Sequence, residues 1–493
     1  MQIERELKFR LPARLSFRVW NLLPGTPTVH RRSVESVYYD TPDLRLRTAH
    51  AALRLRRDGR RSLMCFKCEG APAAGLAQRS EWEVPAMRGV PAPEELPLEE
   101  IAEATQIDLR RLIPHLAPVF TTRFTRQSVE IALPGGTAAE LCIDEGRIIA
   151  GRRSVPLREL ELELREGSLD AMLEFAAGLV APLALALEPL SKAERGYRLA
   201  ASEPSAPVKA QPPALTRDGS AEAAMLAVLQ ACLAQVEANA WGVAHARDPE
   251  YLHQLRVGLR RLRAALRVFE PLASSADIRV PVACLREFSP VLGSARDWDV
   301  FCTGLAPYPR LLRRARPRRA AARAQARQLA GSARFQAFLL DLLRWMHQAS
   351  WRRTGDKEHR LWEQPIARYA RRALARAERR LQRQGTEIDW TDAAARHRLR
   401  IRAKRLRYAC EPFASLYPPR RTLRYLERLE ALQDVLGELN DIAVGRRLLR
   451  ELDGGKVATE ARLMCAELVL REKRLVKRLG AVWRAWRKAT QPW

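Results

Sequence analysis

Two stretches of this 493-residue chain, 144 positions apart, repeat one another: His253-x-x-Arg256-Val257-x-x-Arg260-Arg261-x-Arg263 and His397-x-x-Arg400-Ile401-x-x-Lys404-Arg405-x-Arg407. The offset carries Phe269 onto Phe413, Leu292-Gly293 onto Leu436-Gly437, and Arg296-Asp297 onto Asn440-Asp441. A register kept over that span marks an internal duplication, so the second half of the chain is expected to fold as two copies of one unit. At about 100° per residue, His253, Arg256, Arg260, Arg263 and Arg267 share one narrow helical sector, while Leu255, Leu259, Leu262 and Leu266 form the flank that faces a core. Each copy therefore presents a basic stripe on an amphipathic helix.

No acidic residue interrupts Arg256–Arg267 or Arg396–Arg407. A solvated helix face mixes signs, so a one-sign stripe calls for an anionic counterpart. Asp297, Asp299, Asp434 and Asp441 could supply part of it by internal pairing. The net charge of +28 is concentrated in the same half: residues 1–203 hold 29 basic and 28 acidic side chains, residues 204–493 hold 56 and 29. A polyanion is the natural partner, whether nucleic acid, polyphosphate or an acidic membrane surface. The stripes lack interleaved aromatic residues, which argues against a platform for single-stranded nucleic acid, while duplex binding through phosphates stays open.

Hydrophobic residues make up 47% of the chain, enough for real cores in two or three domains. No run of about 18 apolar residues stands out and the first residues are charged, so a cytoplasmic protein without membrane insertion is expected. The eight cysteines are scattered apart from Cys65 and Cys68. That pair lacks the second pair or histidines of a metal site, and buried free thiols are expected. Nothing in the sequence sets the oligomeric state.

Residues 1–202 alternate in short segments, among them Ile3–Phe9, Ser36–Tyr39, Ala52–Arg57, Ser62–Lys67, Gln78–Val84, Gln127–Leu133, Ala139–Asp144 and Leu157–Leu164. This pattern predicts an antiparallel sheet or barrel in an α+β chain. A Pro/Ala/Ser-rich linker is expected over 203–219. An all-helical domain over 220–493 should follow, with repeats at about 220–350 and 360–490 and breaks near Pro271, Pro281, Pro307, Pro365 and Pro418.

In the first half, charged residues of both signs fall on one strand parity: Glu4, Glu6 and Lys8; Arg54 and Arg56; Arg79, Glu81 and Glu83; Arg126; Asp144; Glu159, Glu161 and Glu163; then Lys192 and Arg195. Cations set beside carboxylates are what a closed polar tunnel needs to hold a polyphosphate with divalent metal ions. Arg123 has the opposite parity from Arg126 and ranks lower as a phosphate ligand. No Gly-rich phosphate loop, His-Glu-x-x-His or Gly-x-Ser-x-Gly is present.

Glu4-x-Glu6-x-Lys8, Tyr38-Tyr39-Asp40-Thr41-Pro42, Ala52-Leu53-Arg54-Leu55-Arg56, Lys67, Arg79-x-Glu81-x-Glu83, Glu159-Leu160-Glu161-Leu162-Glu163 and Ser191-Lys192-x-x-Arg195-Gly196-Tyr197 together resemble the CYTH superfamily of triphosphate tunnel metalloenzymes. The duplicated half resembles the CHAD domain, a conserved-histidine helical module. The resemblance implies a triphosphatase of the inorganic triphosphate type using Mg2+ or Mn2+. It implies Glu4, Glu6, Asp144, Glu159, Glu161 and Glu163 as metal ligands. Lys8, Arg54, Arg56, Lys67, Arg79, Arg126, Lys192 and Arg195 would be the phosphate ligands, with Glu4, Glu6 and Lys8 at the catalytic centre. For the helical half it implies inorganic polyphosphate as ligand, held by His253, Arg256, Arg260, Arg261, Arg263, Arg296, His397, Arg400, Lys404, Arg405 and Arg407. Adenylate cyclase or thiamine triphosphatase activity in the same tunnel, and a non-enzymatic role at polyphosphate granules, are the alternatives.

Overall fold

The computed structural model describes residues 2–13, 15, 18–23, 27–59, 61–69, 76–87, 90–272, 275–349, 351, 361–452 and 457–493. They form two compact units, one of residues 1–207 with 331–348, the other of 208–330 with 349–493.

The first unit is an eight-stranded antiparallel barrel with a short ninth strand. Its strands are β1 (Gln2–Arg10), β2 (His30–Asp40), β3 (Ala51–Asp58), β4 (Arg61–Glu69), β5 (Leu76–Pro85), β6 (Ala117–Leu133), β7 (Thr137–Ala150), β8 (Arg153–Glu166) and β9 (Ala186–Leu187). They run in the order β5-β4-β3-β2-β6-β7-β8-β1, and pairing of β1 with β5 closes the ring. Both faces of the wall are buried, because polar side chains face inward and apolar ones meet helices outside. On β1, Glu6 and Lys8 alternate with Leu7 and Phe9, and all four are buried. Outside β3–β5, Leu53, Leu55, Phe66 and Trp82 pack with Ile101, Leu109 and Leu112. Ile101 comes from α2 (Leu98–Thr105), Leu109 and Leu112 from α3 (Leu109–Leu112), and α1 (Arg45–Thr48) adds Leu46 to the same cluster.

Two further helices complete the barrel's own sequence, α4 (Leu169–Leu183) and α5 (Lys192–Ala200). Ser191 caps α5 by accepting from the Glu194 amide at 3.1 Å. Tyr197 of α5 and Phe120 of β6 meet edge to face, and Phe120 stacks on Tyr38 at 4.4 Å between ring centres. A Cβ at Gly196 would lie 2.0 Å from the Phe120 ring, so only glycine lets α5 come this close.

The second unit is helical: α6 (Ala221–His245), α7 (Pro249–Phe269), α8 (Ser275–Gly304), α9 (Pro309–Ala330), then α11 (Ile366–Thr386), α12 (Ala393–Cys410), α13 (Pro419–Leu452) and α14 (Ala458–Arg487). The duplication extends to the helix caps. Asp248 caps α7 through the Glu250 amide and Asp392 caps α12 through the Ala394 amide, each at 2.8 Å. The starts of α6 and α11 are tied together by Ala221 N–H to Gln364 O at 3.0 Å and Ile366 N–H to Gly219 O at 2.8 Å.

Four expectations change. Helix α10 (Ala333–Gln348), expected in the helical domain, belongs to the barrel unit, because its apolar face covers α4. Pro281 does not break a helix but lies inside α8, where Ile278, Val282, Leu285 and Phe288 bury one continuous face. The linker is a strap from Val208 onward: the Val208 N–H and C=O bond the buried Asn239 side chain at 3.0 and 2.9 Å. Finally, α6 is long and apolar enough to cross a membrane, although more than half of its most apolar stretch is buried in the bundle. The expected junction between repeats at 350–360 lies almost wholly outside the described residues.

Candidate functional site

Inside the barrel is a cavity of about 760 Å³, and strand parity decides what lines it. Among the expected residues, Glu4, Glu6, Lys8, Arg54, Arg56, Lys67, Arg79, Arg126, Glu161, Glu163 and Lys192 line it together. The cations and carboxylates interleave. Lys67 Nζ lies 2.7 Å from Glu4 and 3.0 Å from Glu81; Lys8 Nζ lies 2.9 Å from Glu6; Arg79 also pairs with Glu6. Arg126 holds Asp144 with two bonds of 2.8 and 2.6 Å and reaches Glu161 at 2.5 Å. Arg54 lies 3.6 Å from Glu81, and Arg56 lies 2.9 Å from Asp58.

Three expected ligands stand behind the wall instead of at it. Asp144 and Glu159 are wholly buried, and Lys192 Nζ sits 2.8 Å from each and 2.6 Å from Glu161. Carboxylates so saturated by cations orient Lys192 and Arg126 rather than face a ligand. Arg195 is turned away, pairing with Glu159 and donating to Pro156 O at 3.0 Å. Lys192 and Arg195 also come from helix α5 and not from a strand, so they occupy one helical turn, not one strand face. Arg123 points outward and pairs with Glu35 at 3.0 Å, in keeping with its parity.

Further lining residues escaped the sequence reading: Arg32, Glu140 and Arg165, with Arg47 and His50. Glu140 shares the parity of Asp144 and lies inside the expected segment Ala139–Asp144, so parity alone pointed to it. Arg47 is set by Asp40, whose buried carboxylate accepts from the Thr41, Leu46 and Arg47 amides at 2.7–3.0 Å.

Burial alone would raise the Glu161 carboxyl, but Lys192, Arg126 and Lys8 outweigh it and hold the group well below the usual range. Glu4 is likewise lowered, burial being overcome by Lys67. Glu163 goes the other way: burial and the neighbouring Glu4 push it up to about 7. One point of the wall thus gathers Glu4, Glu6 and Glu163 with like charges incompletely relieved. Hard oxygen donors with surplus negative charge fit a divalent cation such as Mg2+ or Mn2+. Cys65 Sγ lies with Glu81 and Glu83 oxygens, all within 4.8 Å of one another, but its thiol meets Glu83 at 3.0 Å and burial pushes it up to about 12. None of the eight cysteines forms a disulfide.

The helical unit has its own cavity, of about 1010 Å³, which both repeats line: His253, Arg256, Arg260, Arg263 and Arg296 from one, His397, Arg400, Lys404 and Arg405 from the other. Arg267, Arg471 and Arg474 add to the expected set. Arg261 and Arg407 do not line it. Arg261 lies one residue off its stripe, whereas Arg407 holds the position of Arg263 in the second repeat; both bind Glu411, Arg407 at 2.9 Å. Of the aspartates that could have paired internally, Asp299 serves Arg319 and Arg323 at 2.7 and 2.6 Å, and Asp297 reaches Arg447 at 3.4 Å. Asp297 and Asp441 line the cavity and offset part of the charge on Arg256, Arg400 and Lys404, where basic side chains outnumber the acids. The Nε atoms of Arg260, Arg263 and Arg400 are buried without a hydrogen-bond partner. Burial, then Arg400 and Arg260, push Lys404 down to about 7, and burial with Arg260 pushes Arg256 down to about 10.

The barrel lined by cations and carboxylates and the duplicated helical module correspond to known families. Residues 2–197 match the CYTH domain and residues 227–450 the CHAD domain, so this chain is a CYTH–CHAD protein. It is 30% identical over 175 residues to a protein of Haemophilus influenzae named inorganic triphosphatase, a match covering 34% of this chain and 46% of that one. The chain thus spans about half the length of this curated relative. The crystal structure of the CHAD domain from the plant Ricinus communis matches with a TM-score of 0.50 and 32% identity, over 58% of this chain and 98% of that one. A putative adenylyl cyclase from Hippeastrum, described as revealing a dominant triphosphatase activity, matches with a TM-score of 0.31 and 15% identity, over 39% and 95%.

Proposed function

We propose that this chain hydrolyses inorganic triphosphate to diphosphate and phosphate in the barrel, with a divalent metal ion, and binds inorganic polyphosphate in the helical cavity. The observation that carries the first part is the closed wall on which Lys8, Arg54, Arg56, Lys67, Arg79, Arg126 and Lys192 alternate with carboxylates around about 760 Å³. Preorganised cations in a space shielded from water stabilise charge on a transferring phosphoryl group far better than they would in bulk solvent. Glu4, Glu6, Glu161 and Glu163 would hold the metal, which when bound polarises the phosphoryl oxygens and activates water. Lys8 and Lys67, each held by a carboxylate, keep their ammonium groups aimed at the phosphate path. The Haemophilus influenzae relative named inorganic triphosphatase supports this choice among triphosphates.

What supports polyphosphate in the helical unit is a cavity of about 1010 Å³ lined from both repeats by basic side chains that outnumber its acids, Asp297, Glu438, Asp441 and Glu467. A cytoplasmic protein that associates with polyphosphate granules fits both activities. The test is phosphate release from inorganic triphosphate, longer polyphosphate, ATP and thiamine triphosphate, each with Mg2+ and with Mn2+. Inorganic triphosphate should be turned over fastest and chelation should stop the reaction. Faster turnover of ATP or thiamine triphosphate would move the assignment to a cyclase or thiamine triphosphatase, and no turnover at all would leave a polyphosphate-granule binder.

A further inference from the structure

Helix α10 lies in sequence between residues 330 and 349 of the helical unit, yet it is built into the barrel unit. Its apolar face, with Phe335, Phe338, Leu339, Leu342 and Leu343, is buried, and the helix packs on α4. Arg344 fixes the register by holding Asp170 at 2.6 Å and Glu174 at 2.9 Å, and Gln348 donates to Asp170 at 2.8 Å. The contact that matters for the site is polar and buried. Gln336 Oε1 accepts the Leu187 N–H of β9 at 3.1 Å.

Strand β9 has two residues and cannot hold itself in place. On one side it pairs with β1, Leu187 opposite Phe9 and Ala186 opposite Arg10, and the next amide, Glu188 N–H, donates to Lys8 O at 2.9 Å. The Glu188 carboxylate also grips Arg10 at 2.7 Å. On the other side the Leu187 amide has Gln336. A continuous line of hydrogen bonds therefore runs from α10 through β9 to the backbone of Lys8, two residues from Glu6.

We propose that Gln336 is a positioning residue for the tunnel: by clamping β9 against β1 it sets Lys8 and Glu6 at the wall, so the hydrolytic unit is completed by a helix supplied from the other half of the sequence. This rests on the triphosphatase reading above. It also predicts that a cut at the linker, as residues 1–202, removes part of the site's support.

The test uses the full chain with Gln336→Met, which keeps the volume and removes the acceptor. Amide exchange at Leu187 and Glu188 should quicken about fivefold or more, the size of effect expected for one lost buried hydrogen bond. The KM for triphosphate should rise about fivefold, because a small displacement of a phosphate-binding group weakens substrate contact. A purely structural role would lower kcat through the folded fraction and leave KM unchanged, and that outcome overturns the proposal. So does exchange at wild-type rates. Arg344→Asp should act in the same direction, and adding Asp170→Arg should restore the wild-type KM; failure of the pair to restore it counts against α10 as the clamp. Should the wild-type chain hydrolyse no triphosphate, the functional reading fails, and exchange at Glu188 alone decides whether Gln336 holds β9 on β1.

Discussion

Both cavities are cationic, but their charges are arranged on opposite principles. In the barrel nearly every inward cation has a carboxylate within hydrogen-bond reach: Lys67 has Glu4, Arg79 has Glu6, Arg126 has Asp144, and Lys192 has three. In the helical unit the stripes meet in one cavity with few acids; burial with mutual repulsion lowers Lys404 and Arg256, and burial lowers Arg400 against the pull of Asp441. A paired wall is stable without ligand and rigid, which suits chemistry at a fixed point. An unpaired wall is strained until an anion arrives, which suits binding a long and variable polyanion.

The largest effect should come from breaking the paired wall at Glu4 and Glu6, the carboxylates proposed to hold the metal. Glu4→Gln or Glu6→Gln should lower turnover by about a hundredfold or more, because a neutral amide cannot replace a carboxylate at a divalent ion. The variants should stay folded, since Gln keeps the volume. Near wild-type turnover at limiting Mg2+ in either variant would remove the carboxylates from the metal assignment.

The contrast between the two walls was only partly legible in the sequence. Parity identified the inward face of the barrel, because a strand sends alternate side chains inward. It gave the face and not the depth: Asp144 and Glu159 have the right parity but lie behind Lys192 and Arg126. Arg32 and Arg165 were missed because β2 and β8 run beyond the segments in which alternation is clear, whereas Glu140 lies inside Ala139–Asp144 on the parity of Asp144 and was readable. In Ser191-x-x-Glu194 a helix start was written in the chain, and it explains why Lys192 and Arg195 part company. For the helices, the 144-residue offset revealed the stripes but not their mutual facing. The apolar face of α10 was readable; which core it covers was not, since that depends on the route of the chain and not on local pattern.

A second break applies to the unpaired wall. Reversing charge with Arg256→Glu and Arg260→Glu in one repeat, or Arg400→Glu and Lys404→Glu in the other, should each weaken polyphosphate binding about tenfold or more, and the four together should nearly abolish it. Wild-type affinity should fall steeply with salt, as expected when binding displaces counterions. Competition with a random DNA duplex at equal phosphate concentration sharpens the assignment. A preference for duplex would give the helical unit a nucleic-acid partner.

Between these in logic and smaller in size is Arg54. Ala there removes a charge-assisted bond to phosphate and should cost about tenfold in kcat/KM, with Lys restoring only part because it lacks the planar fork. Full activity of Arg54→Ala together with Arg56→Ala would mean that β3 does not face the substrate.

The smallest effect tests the claimed strain directly. Lys404 titrates near 7 in the folded chain against an ordinary value of 10.5, because burial and then Arg400 and Arg260 disfavour its charge. A base with a depressed folded pKa binds fewer protons folded than unfolded, so it destabilises the fold fully below pH 7, less as pH rises, and not at all above 10.5. Lys404→Met should therefore raise the unfolding midpoint of the unliganded protein by a few degrees, most at pH below 7, with the gain shrinking towards pH 10. The same substitution should weaken polyphosphate binding, and wild-type binding at neutral pH should take up protons, since an anion favours the ammonium form. Thermal unfolding of both proteins at low salt across this range, with proton uptake followed calorimetrically in two buffers, checks each part. If Lys404→Met lowered the midpoint at every pH, the ammonium would have a stabilising partner and the helical wall would be paired after all, like that of the barrel.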